Sequence, residues 1–287
     1  MSSFEKINEK YARDYRVGTN DIYRKFSTQF DKLFNAQEIA RNDKEFEKMY
    51  VHDRDFELQI EEFRNSKTNL VKFCVGYTGI GKSTSIRHCF EIGVSREPYL
   101  NFEKKEIVFH TCLDGYQVEN MKKFDLAARI ATVCTRFEKE YPELKIFMRT
   151  TEGKKKLYEF IERHTCFALE KIDPIAAMDM DENELIKEKL RGAYKESQYE
   201  FQANRLKFYI KKFYDKFEHL IIILDDVESL PSKYQTAVIK SFLKLHDCMK
   251  NTDYPDNGKY YVNLLISIRP HTYRIYRNSR EIAMSLT

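Results

Sequence analysis

The segment Gly76-Tyr77-Thr78-Gly79-Ile80-Gly81-Lys82-Ser83 constrains this chain more than any other stretch. It has the spacing G-x-x-x-x-G-K-[ST]. In that spacing the glycines let the backbone turn tightly enough to aim successive N–H groups at one phosphate. Lys82 then reaches the β- and γ-phosphates, and the Ser83 hydroxyl ligates Mg²⁺. The flanks agree. Residues 69–75 read as a strand, and Thr84 onward reads as a helix whose positive N-terminal end faces the phosphates. The chain has nine glycines in 287 residues, and three fall within positions 76–81, which argues against a chance glycine-rich turn. Gly76, Tyr77, Thr78, Gly79, Ile80, Gly81, Lys82, Ser83 and Thr84 are therefore the expected nucleotide-binding residues.

Hydrolysis needs a positioned metal and an oriented water as well. Leu220-Ile221-Ile222-Ile223-Leu224 is apolar at every position, the pattern of a central parallel strand buried on both faces. It ends in Asp225-Asp226. Asp225 is placed to hold Mg²⁺ through a water, and Asp226 to orient the attacking water as general base. The pair is Asp-Asp rather than Asp-Glu, one methylene shorter at the second acid. Small misplacements at a reacting centre are costly, so slow turnover is expected. Glu228 is a second candidate for the base. The guanine-reading patterns N-K-x-D and T-K-x-D are missing from the sequence, so ATP with Mg²⁺ is the expected cofactor pair.

The rest of the chain reads as alternating helices and strands. Residues 53–63 carry Phe56, Ile60 and Phe63 on one helical face. A second strand is expected over 107–113. A helix with Leu126, Ile130, Val133, Phe137 and Tyr141 inward should follow it. After Pro231-Ser232 a helix turns Tyr234, Val238, Phe242 and Leu245 inward, and a last strand covers 261–268. Alternation of this kind argues for an α/β sheet with right-handed crossovers. Residues 1–50 read as a helical segment, in which Tyr23, Phe26, Phe30 and Phe34 form either a packing stripe or a partner contact. Residues 142–218 read as long helices, with Gly192 as the expected divider of the last long pattern and Asp181–Glu184 as a cap-like start.

Composition sets outer limits. The chain is 42% hydrophobic and 33% charged, enough for a core with many solvated helices. A net charge of +4 permits nucleic-acid contact without demanding it, and Lys154-Lys155-Lys156 is either a solvated face or such a contact. The longest aliphatic run, 220–224, is far too short to span a membrane, and the first residues lack a signal core. A cytoplasmic protein with no membrane partner is expected. Six cysteines are scattered without a C-x-x-C pair, as reduced thiols are. The three H-x-C pairs do not have zinc-site spacing.

Taken together, the chain resembles the additional-strand P-loop ATPases, within them the STAND and AAA+ branch that includes NACHT and NB-ARC proteins. Three segments besides the glycine loop carry the resemblance. Val51 to Leu58 is similar to the h-h-G-R-E-x-E-L segment that borders adenine, and there Arg54 matches. Leu224-Asp225-Asp226-Val227 is similar to L-D-D-V. Leu265 to Pro270 is similar to the sensor motif L-x-T-S/T-R-P, which puts Arg269 at the arginine that contacts the γ-phosphate. The resemblance implies a three-layer P-loop NTPase core with a parallel sheet over 51–287, a helical N-terminal segment and a helical insertion near 142–218. It implies catalytic roles for Asp226, Lys82 and Arg269, metal ligation by Ser83 and Asp225, and adenine contact at Arg54. It also implies a switch between ATP and ADP states, homo-oligomers on ATP binding, and a role in defence signalling. Arg274, Arg277 and Arg280 are either a solvated basic helix or arginines acting in trans. The family's lid and its sensor or effector domains are expected beyond Thr287. A DNA-associated motor and a pure nucleotide-binding module are the alternatives.

Overall fold

A strand apolar on both faces has to be covered on both. The computed structural model describes residues 53–77, 81–92, 98–113, 125–165, 180–213, 216–250 and 260–285, and its sheet is built around such a strand. The strands are β1 (Val71–Val75), β2 (Tyr99–Asn101), β3 (Glu106–Cys112), β4 (His219–Asp225) and β5 (Tyr261–Ile268). Every residue of β4 is buried. Its neighbours β3 and β5 both run parallel to it, β1 runs parallel to β5, and β2 is antiparallel on β3. The order is β1-β5-β4-β3-β2, a mostly parallel α/β sheet.

The helices are α1 (Arg54–Arg64), α2 (Lys82–Cys89), α3 (Leu126–Glu140), α4 (Pro142–Arg149), α5 (Thr151–His164), α6 (Glu182–Glu196), α7 (Gln198–Lys212), α8 (Ser232–Met249) and α9 (Pro270–Ser285). They cover both faces. Ile60, Phe63, Ile86 and Phe90 pack on Val108, Ile221, Ile223 and Leu265. On the opposite face Leu220, Ile222, Leu224 and Ile266 meet Ile130 and Phe137 of α3, Leu206 and Ile210 of α7, and Phe242 of α8. The alternation along β4 is the two-residue period of a strand. Two covered faces follow from the path of the chain. It leaves β1 outward to β3 and returns through β4 to β5, and right-handed crossovers running in opposite directions put their helices on opposite faces. The arrangement is compatible with a three-layer α/β fold.

Local chemistry sets the helix ends. Asp53 caps α1 by accepting the Phe56 N–H, Asp125 caps α3, and Asp181 accepts the Glu184 N–H at 2.8 Å at the head of α6. Gly192 lies inside α6 and does not divide the long pattern. The break comes at Ser197, an extended residue whose hydroxyl accepts the Glu200 N–H and starts α7. A single glycine weakens a helix but removes no hydrogen bond, whereas serine offers the backbone a competing partner. Gly153 has a different reason for being glycine: a Cβ there would lie 2.0 Å from the Phe147 carbonyl oxygen. Strand β2 was not expected from the sequence; three residues are too few to show a period. The expected helical segment 1–50 lies outside the described residues.

Two polar devices tie the sheet to the segments beside it. The buried Asn263 side chain accepts the Leu70 N–H at 3.0 Å and donates to the Phe63 carbonyl at 2.8 Å. Arg64 forms a forked pair with Glu106, 2.8 Å on one arm, and donates to the Cys89 carbonyl at 2.9 Å. Glu106 is 2% exposed, so the pair joins α1, α2 and β3 away from water. Removing one partner leaves the other charge buried. Glu106→Gln should cost about 3–5 kcal/mol in urea unfolding, while Arg64→Met with Glu106→Leu should recover most of it.

His246 and His219 are both held below the ordinary histidine value, chiefly by burial. His246 Nε2 lies 3.0 Å from the Val262 carbonyl oxygen, so the neutral ring donates there. A depressed folded pKa means stability that is complete above the unfolded value of about 6.5 and lost as pH falls through the folded one. The urea midpoint should therefore drop between pH 7 and 5, and the drop should shrink in His246→Gln.

Candidate functional site

The glycine loop leaves the C-terminal end of β1, at the edge where β5 lies alongside. Gly76 is buried, and its N–H donates to the Ile268 carbonyl at 3.1 Å, stitching the start of the loop to the end of β5. Gly81 has φ +86 and ψ 9, the left-handed region, and forms the N-cap of α2 without any side-chain cap bond. The first turn of α2 carries no acid either, and a helix N-terminus of that kind suits an anion. Lys82 is the first residue of the helix. Its ammonium donates to the Gly76 carbonyl at 2.7 Å and the Tyr77 carbonyl at 3.1 Å, lying across the loop it belongs to. Ser83 is half-buried in the same turn and Thr84 is exposed. Thr78, Gly79 and Ile80 lie outside the described residues.

The acids come from the next strand but one. Asp225 ends β4 and is 1% exposed. Its carboxylate accepts the Asp226 N–H at 2.9 Å, and its carbonyl accepts the Leu113 N–H at 3.0 Å. Asp226 takes φ 60 and ψ 39 and starts the short turn Val227–Ser229. Left-handed geometry at a non-glycine residue is uncommon, and Asp tolerates it better than most. Val227 inserts into the core, so the turn is anchored and Glu228 is carried toward β5. The Glu228 carboxylate accepts the backbone N–H of Arg269, which directly follows β5. The ends of β4 and β5 are thus joined beyond the strands themselves.

Electrostatics shows which groups lie near one another. Burial raises Glu228 above the usual carboxylate range; Lys82 and Arg269 work against the rise and Asp226 adds to it. The Cys74 thiol is pushed up to about 11, first by burial and then by Asp225, with Lys82 opposing. Glu228 thus lies in the fields of Lys82, Arg269 and Asp226, and Cys74 in those of Lys82 and Asp225, at the carboxyl ends of β1, β5 and β4. That is the place where the connections depart to opposite faces and an open α/β sheet leaves a crevice. Arg54 is exposed in the first turn of α1, and among the described residues no contact ties it to this group.

The donor set suits the expected ligands. Mg²⁺ takes hard oxygens and keeps several waters, binding through one or two carboxylates plus phosphates. The Ser83 hydroxyl and the Asp225 carboxylate are such donors. Among the described residues no three His, Cys, Asp or Glu side chains form a closed metal cage. Sequence reasoning named Glu228 only as a substitute base. Its contact with Arg269 makes it a brace between two strand ends, and nothing in the local pattern indicates that the two strands are neighbours. Cys74 gave no signal at all beyond its place in the strand.

Gly81 is glycine for conformation, not for space, because a Cβ there would meet only Ser85 Oγ, at 4.0 Å. Gly81→Ala should cost about 1–2 kcal/mol in chemical unfolding, and Gly81→Asn less, since Asn enters the left-handed region more readily. A cost of several kcal/mol for both would point to a steric clash instead. No protein-family model, no curated protein and no solved structure matches the chain.

Proposed function

We propose that this chain binds ATP with Mg²⁺ and hydrolyses it slowly, as a nucleotide-dependent switch of the additional-strand P-loop type. One observation carries the reading. An uncapped helix N-terminus bearing Lys82, the acids Asp225 and Asp226, and Arg269 meet at the carboxyl ends of three adjacent parallel strands. The strand order supports it too. β5 lies between the glycine-loop strand and the acidic strand, which is the added strand that the class is named for.

The residues divide the work by chemistry. Backbone N–H groups of the loop and of the first turn of α2 bind phosphate oxygens, and Lys82 exchanges its carbonyl partners for them. Bound Mg²⁺, held by Ser83 and Asp225, supplies charge neutralisation at the phosphates. Asp226, the acid that directly follows the buried strand, is the group to orient water and accept its proton, while the Glu228 carboxylate braces the Arg269 N–H. Arg269 is exposed and free to reach a γ-phosphate, a charge-assisted contact that disappears on hydrolysis. Loss of that contact, transmitted through Glu228 to the turn after β4, is the physical basis for two states. Assembly into homo-oligomers in the ATP state and a role in defence signalling belong to the same proposal, by resemblance.

The Lys154–Lys156 run reads as a solvated face. Each lysine of the 154–156 run has a local partner: Asn183 at 3.1 Å, Glu182 at 2.9 Å and Glu152 at 2.6 Å. No helix among the described residues is long and apolar enough to cross a membrane.

The test is Mg²⁺-dependent binding of a fluorescent ATP analogue, followed by single-turnover hydrolysis. Lys82→Ala should abolish binding at micromolar nucleotide. Asp226→Asn should keep binding and lose about 10²–10⁴-fold in rate, the usual size of a general-base effect. Glu228→Gln should keep chemistry measurable. Binding that ignores both Mg²⁺ and Lys82→Ala would defeat the reading.

A further inference from the structure

Residues of α3, α4, α5, α6 and α7, none of which carries the glycine loop, line an open cleft of about 530 Å³. Its lining is lopsided in charge. Lys145, Arg149, Lys154, Lys187, Arg191 and Arg205 face a single carboxylate, Glu138. That carboxylate is already used: Arg205 pairs with it, the Tyr209 hydroxyl donates to it at 2.6 Å, and Arg205 Nε donates to the same hydroxyl at 3.0 Å. The network makes a rigid floor with its charge neutralised inside. Of the rest, Lys154 donates to the neutral Asn183 amide and Arg191 pairs with Glu188. Lys145, Arg149 and Lys187 have no acidic partner among the described residues.

The remaining walls are apolar: Met148, Leu157, Leu190 and Phe201. Gathering like charges around such walls costs self-repulsion, which an anion relieves. Arginine forks and lysine ammonium groups together suit phosphate oxygens. The volume lies in the range of small-molecule sites, which often form between helices. A nucleic-acid strand would call for a basic track across the surface, whereas these cations gather around one open cleft with Phe201 in its wall.

We propose that this cleft binds a small phosphorylated ligand with an apolar or aromatic body, its phosphate held by Arg149, Lys187 and Lys145 and its body against Phe201 and Leu190. The site is independent of the glycine loop, so it stands whether or not ATP binds there. The experiment titrates the full chain with 1-naphthyl phosphate and with pyrophosphate by calorimetry. Arg149, Lys187 and Lys145 are exposed, so charge reversal there should leave the thermal midpoint unchanged. One naphthyl phosphate should bind per chain. Arg149→Glu with Lys187→Glu should weaken it about tenfold or more, since each lost charged hydrogen bond counts at least that much. Phe201→Ala should weaken naphthyl phosphate and spare pyrophosphate, and Lys82→Ala should leave naphthyl phosphate binding unchanged.

Three results would overturn the proposal. The first is no saturation at millimolar probe. The second is an affinity that the double reversal leaves intact or that Lys82→Ala removes. The third is binding of a single-stranded oligonucleotide, sensitive to the double reversal, in a protein that ignores naphthyl phosphate.

Discussion

Strand β5 is hydrogen-bonded on both edges, to β1 and to β4, and the candidate site depends on that double pairing. It fixes the ends of three parallel strands at one level. Two further bonds continue the pairing beyond the strands: the Gly76 N–H on the Ile268 carbonyl, and the Arg269 N–H on the Glu228 carboxylate. Each satisfies a backbone donor that would otherwise be left at the end of a buried sheet. Together they tie the glycine loop to the end of β5, and the end of β5 to the acidic turn.

This arrangement makes the site a set of backbone ends rather than a cluster of side chains held by a core. Asp225 is set by its own buried strand, and Asp226 by a left-handed turn that Val227 anchors. Lys82 rests on two carbonyls of its own loop, which are neutral acceptors. In the proposed complex it trades them for an anionic oxygen, a stronger acceptor by roughly twofold. Glu228 is pressed between burial, which favours its proton, and two cations, which oppose it. A carboxylate in that balance responds to any change of charge beside it, and its partner is the backbone of the residue proposed to sense the γ-phosphate.

Much was legible early, because hydrophobic period and turn chemistry are local. The stripe Ile130, Val133, Phe137 and the run 220–224 were readable from spacing alone, and the structure buries all of them. The cap at Asp181 was legible too, because it depends on a residue three positions away. The reading failed where the signal was short or carried by one atom. β2 spans three residues, and Ser197 rather than Gly192 divides the long helical pattern because a hydroxyl can take a helix N–H and a glycine cannot. The Arg64–Glu106 pair joins residues 42 apart, and neither shows its partner in the local pattern.

By itself the amino-acid order determined the alternation of strands and helices, which faces are apolar, and the kinds of group available for phosphate chemistry: a lysine after glycines, two acids after a buried strand, an arginine after another. Only the tertiary structure decided that these segments are neighbours. Strand order follows from crossover handedness and from which apolar faces bury each other best, both long-range quantities. A period of two residues says that a strand has two faces, and is silent about which strand lies at its edge.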